Sequence, residues 1–122
     1  MLSLFTYKVI HFLGIVMIFL SLGGMLTHAI NQGTREHRWR KQVGITHGLG
    51  LFFAVLGGFG MLARLGIPWP WPGWLFVKLI IWLILGGMVM LILRKPDSSR
   101  VMWLITIVLG VVAAYFGVFK PF

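Results

Sequence analysis

Cysteine is absent from the 122 residues, and the only carboxylates are Glu36 and Asp97. The first absence excludes disulfides, thiolate metal sites and cysteine-ligated iron–sulfur clusters. The second excludes paired-carboxylate acid/base chemistry. Neither acid lies in an apolar stretch, so the carboxylate relays and cation sites of ion-coupled transporters are missing too. Charged residues of every kind make up 11% of the chain, against about 25% in a typical soluble domain. With 59% hydrophobic residues, the chain cannot cover its apolar surface with polar groups in water.

What is present is a series of long apolar runs. Spans of about 20 residues suffice to cross the hydrocarbon core, and the sequence divides into four of them, at 4–30, 43–65, 74–93 and 101–119. The expected fold is all-α, a single four-helix transmembrane domain over 1–122 with short loops. The first run is longer than a signal-peptide core of about 7–15 residues and lacks a basic start and an Ala-x-Ala site, so it is expected to remain in the mature protein. Residues 31–42 form a polar loop. The connection Gly66-Ile67-Pro68-Trp69-Pro70-Trp71-Pro72-Gly73-Trp74 combines prolines that stop helices with tryptophans that favour the headgroup level. Residues 94–100 form a tight basic turn.

The formal net charge of +9 would suggest nucleic acid in a soluble protein. Here seven of the eleven Lys and Arg lie in the first and third loops, the bias that marks cytoplasmic loops of membrane proteins. No nucleic-acid module remains once the spans are removed. The lipid bilayer is the expected partner, in a bacterial-type inner (plasma) membrane, with both termini on the outer, periplasmic side. A second membrane protein or another copy of the chain is expected as well.

Glycine pairs recur within the spans at Gly23-Gly24, Gly57-Gly58 and Gly86-Gly87. Small residues let helix backbones approach in lipid, so these pairs are expected at helix contacts, with a hinge or cofactor groove as the alternative.

The candidate site residues are the ionisable groups inside the spans: Lys8, His11, His28, His47 and Lys78. Such groups are costly in lipid and raise a functional hypothesis. Lys8 and His11 share a helix face, and Lys78 opens the third span at the same depth, so the three can form one outer cluster. Snorkelling of both lysines to the headgroups is the competing explanation. His28 and His47 lie at the opposite side, on glycine-bearing stripes of neighbouring helices, and two imidazoles at one depth can ligate haem b. Close packing of those stripes would leave no room for such a sandwich, and the alternative is interfacial histidines bonded to carbonyls or water.

Two segments, Lys8-Val9-Ile10-His11 and Trp74-Leu75-Phe76-Val77-Lys78-Leu79-Ile80, resemble the small four-helix bacterial protoporphyrinogen oxidases and the related copper-resistance D membrane proteins. The resemblance implies that His11 binds haem b as its metal ligand and that Lys78 belongs to the same site. The chain departs from the oxidase pattern late in span one, where His28 stands without the family's Pro-Arg pair. It departs again late in span three, where Gly86-Gly87 replaces a histidine. The resulting expectation is a small membrane protein that holds haem b and acts as a porphyrinogen-oxidase-like redox protein. The alternative is a non-catalytic accessory or assembly subunit of a larger membrane complex. A channel is disfavoured because no span carries a deep polar stripe.

Overall fold

The computed structural model describes residues 2–34 and 36–120. They form four helices, α1 (Leu4–Ile30), α2 (Arg40–Leu65), α3 (Gly73–Arg94) and α4 (Ser99–Phe119), with a short 3-10 turn at Pro96–Ser98. All four spans are long and apolar enough to cross a membrane. The chain is a multi-pass, all-α helical bundle suited to a lipid bilayer. Large apolar side chains such as Phe5, Leu20, Leu83 and Leu104 point outward, as a hydrocarbon solvent permits.

The helix ends follow from local chemistry. Ser3 caps α1, its Oγ accepting from Thr6 N–H at 3.1 Å, which satisfies one of the unpaired donors of the first turn. Gly66 ends α2 in the left-handed region at φ 68°, where a side chain would be strained. Pro72 immediately precedes α3 with an extended backbone. The polar residues Arg40, Lys41 and Gln42, expected in the loop, instead form the first turn of α2. Hydropathy marks where the apolar slab begins, whereas the helix continues into the headgroup layer as long as its backbone bonds are made.

The closest contact joins α1 and α2. A Cβ on Gly50 would lie 2.9 Å from both Gly14 O and Ile18 N, and one on Gly57 would lie 2.6 Å from His11 Cα and Tyr7 O. Gly14, Gly50 and Gly57 thus set the antiparallel register. The expectation for Gly23, Gly24 and Gly87 needs correction, since a Cβ at these positions would meet nothing within 4 Å. A mid-span glycine allows close approach, but a neighbour must occupy that face.

The packed core is displaced toward the end of the bundle that carries the basic loops. Ile18, Leu22 and Leu26 of α1 meet Ile81, Leu85, Met88 and Ile92 of α3 and Met102 of α4. Spacings of three and four residues place each set on one helix face. Across from α2, Trp82 Nε1–H donates to Leu51 O and His47 Nε2–H donates to Leu85 O, both at 3.1 Å. Toward the end that carries the termini, the core gives way to a cavity.

Candidate functional site

That cavity has a volume of about 850 Å³ and is walled by all four helices, within the range of about 300–1,000 Å³ usual for small-molecule and cofactor sites. Ile18, Ala54, Ile81 and Leu85 form part of its lining, joining it to the core below. Phe12, Phe19, Phe59, Trp74 and Trp82 add aromatic surface. Helix α4 contributes Gly110, Ala113, Ala114 and Gly117, small residues that add little side-chain volume to the space. A cluster of aromatic rings adjoins the cavity, with Trp71 5.5 Å from Phe59 and 5.2 Å from Trp69 between ring centroids.

His11 lies on the cavity wall, fixed by a hydrogen bond of 2.7 Å between its Nδ1 and Ala54 O. A carbonyl oxygen can only accept, so Nδ1 carries a proton, and in the neutral imidazole Nε2 is then the nitrogen with the lone pair. Gly57 makes this contact possible. It lets the His11 backbone sit against α2, whereas a Cβ on Gly58 would lie at an ordinary contact distance of 3.6 Å from the imidazole Nδ1. An imidazole oriented by donation to a backbone carbonyl is the usual arrangement of a metal-ligating histidine.

Lys8 and Lys78 line the same cavity. The structure therefore brings together Lys8, His11 and Lys78, from two separate helices. Lys8 Nζ lies 6.0 Å from the Phe12 ring centroid. Lys78 Nζ would be 3.4 Å from a Cβ on Gly117, so the ammonium lies close against α4. Lys120 joins them, its Nζ 5.4 Å from the centre of the Trp74 ring. Among the described residues, three lysines and no Asp or Glu line the cavity. Such a site suits an apolar molecule with anionic substituents.

Neither His28 nor His47 lines this cavity. His28 Nε2–H donates to Thr34 O at 2.6 Å, and its ring lies 4.2 Å from that of His37. His47 is buried and turned toward Leu85 of α3. Each ring is hydrogen-bonded to a backbone carbonyl of its own, as expected for the alternative without haem. Among the described residues, no group of three or more His, Asp or Glu side chains could hold a metal ion.

Lys120 and the small residues of α4 were not apparent as site residues from the sequence. The signal was the spacing of Gly110, Ala113, Ala114 and Gly117, which puts all four on one helical face. Small-residue faces ordinarily mark helix contacts, and only the tertiary arrangement shows that this one borders open space. No protein-family model matches the chain, and no curated protein or solved structure matches it.

Proposed function

We propose that the protein binds haem b, or a closely related tetrapyrrole, in the cavity between the outer halves of its four helices and uses it for electron transfer. The observation that carries this reading is His11, which lines the cavity with its Nδ1–H committed to Ala54 O, so that in the neutral ring Nε2 is the nitrogen left for a metal. A neutral imidazole nitrogen is a normal axial ligand of haem iron. Lys8, Lys78 and Lys120 supply the charge to hold the two propionates of the macrocycle, and the apolar and aromatic walls suit its faces. When bound, the haem would supply a one-electron iron couple. The chain's own share is to fix the imidazole tautomer, neutralise the carboxylates and exclude water. In the orientation that accompanies this proposal, the termini and the cavity face the outer side, because the first and third loops hold most of the Lys and Arg.

The test is the visible spectrum of the protein purified after expression with ample haem. A Soret band is expected in the unmodified protein. It should be lost or shifted in His11→Ala and retained in His28→Ala and His47→Ala. A colourless unmodified protein would eliminate the proposal, and a spectrum insensitive to His11→Ala would eliminate His11 as the ligand.

A further inference from the structure

A second cavity, of about 530 Å³, lies at the opposite end of the bundle, between the loop joining α1 to α2 and the last turns of α3. Its two sides differ in chemistry. The helices contribute Met25, Val89, Ile92 and Leu93, an apolar floor, while the loop and the start of α2 contribute Arg38, Arg40 and Lys41. Glu36 engages Arg40 in an ion pair of 2.8 Å. Arg38 and Lys41 are exposed and have no ion pair among the described residues. His28 and His37, their rings 4.2 Å apart and tilted by 42°, complete the polar wall.

A soluble anion would need the cations but would gain nothing from the apolar floor. A neutral lipid would leave the cations unanswered. The combination at the end of membrane-spanning helices matches an amphiphile with a negatively charged head, and basic pockets between spans are recognised sites for such headgroups. We propose that this cavity seats the phosphate headgroup of an anionic phospholipid from the adjoining leaflet, with Arg38 and Lys41 as its charge partners. The site is independent of the haem cavity.

The probe is phosphatidylglycerol. The protein is reconstituted in vesicles of equal phosphatidylglycerol and phosphatidylcholine, extracted gently, and its retained lipid measured by native mass spectrometry. The unmodified protein should retain phosphatidylglycerol in at least about tenfold preference, given about fivefold per basic residue near an anionic lipid. The double change Arg38→Gln with Lys41→Gln should bring the two lipids close to parity, and Arg64→Gln, at the other end of α2, should leave the preference intact. Equal retention of both lipids by the unmodified protein, or an undiminished preference in a folded double variant, would overturn the proposal. Displacement of the lipid by millimolar inorganic phosphate would also overturn it, identifying a site for the free anion instead. Should the double variant lose its helical circular dichroism, the lipid ratio and the phosphate competition in the unmodified protein decide the matter.

Discussion

Gly57 and Gly24 each stand beside another glycine within a span, yet their surroundings are opposite. A side chain at Gly57 would enter the backbone of α1 at His11 and Tyr7, whereas one at Gly24 would meet nothing within 4 Å. Gly57→Leu is therefore expected to destabilise the protein by about 1–3 kcal/mol or more, the usual cost of overpacking. Gly24→Leu should remain within about 0.5 kcal/mol of the unmodified protein, as for a surface change. Unfolding in mixed detergent micelles, followed by circular dichroism, distinguishes them, and equal midpoints would mean that α1 and α2 are not in close contact at Gly57. At this scale the sequence is informative about chemistry and silent about neighbours. The spacing of Lys8 and His11 puts both on one face, and the depth of Lys78 brings it to the same level. That His11 bonds Ala54, 43 positions away, depends on how two helices cross, which no local pattern encodes.

Among the elements, α2 and α3 are tied by side chains that reach backbone carbonyls of the partner helix, Trp82 to Leu51 O and His47 to Leu85 O. Each carbonyl lies within a helix and takes the indole or imidazole proton in addition to its place in the helical ladder. Removing one such donor leaves no unpaired acceptor. Trp82→Phe should thus cost about 0.6 kcal/mol, the average for a side-chain hydrogen bond between membrane helices, and Trp82→Ala distinctly more through lost packing. The same detergent unfolding measures both, and equal losses would assign the contribution of Trp82 to its hydrogen bond alone. The spans at 4–30 and 74–93 were legible almost to the residue because apolar runs coincide there with Ser3 and Pro72, which define helix starts. The start of α2 was not, since Arg40-Lys41-Gln42 is polar yet helical.

For the molecule as a whole, charge asymmetry governs the orientation proposed above. Arg38, Arg40 and Lys41 gather at one end of the bundle with Arg94 and Lys95, and Lys8, Lys78 and Lys120 at the other. The second group is spread along the sequence, at 8, 78 and 120, while the first is concentrated in short connections, where positive charge resists translocation. Reporters that work only outside the cytoplasm are expected to be active when fused at either terminus, and inactive when inserted after Gly33. Cytoplasmic activity at both termini would invert the orientation while leaving the helix arrangement intact.

The contact between α1 and α2 also has a consequence in time. A chain made from its N-terminus presents residues 4–65 to the membrane before α3 exists, and within that stretch Gly14, Gly50, Gly57 and the bond from His11 to Ala54 O are already complete. The first helical hairpin carries its own docking instructions. The imidazole is therefore oriented early, and Lys78 and Lys120 arrive later on helices that close around it. Errors in the second half of synthesis would leave an oriented histidine in an unfinished cavity, whereas an error at Gly57 would misplace His11 before any cavity had formed.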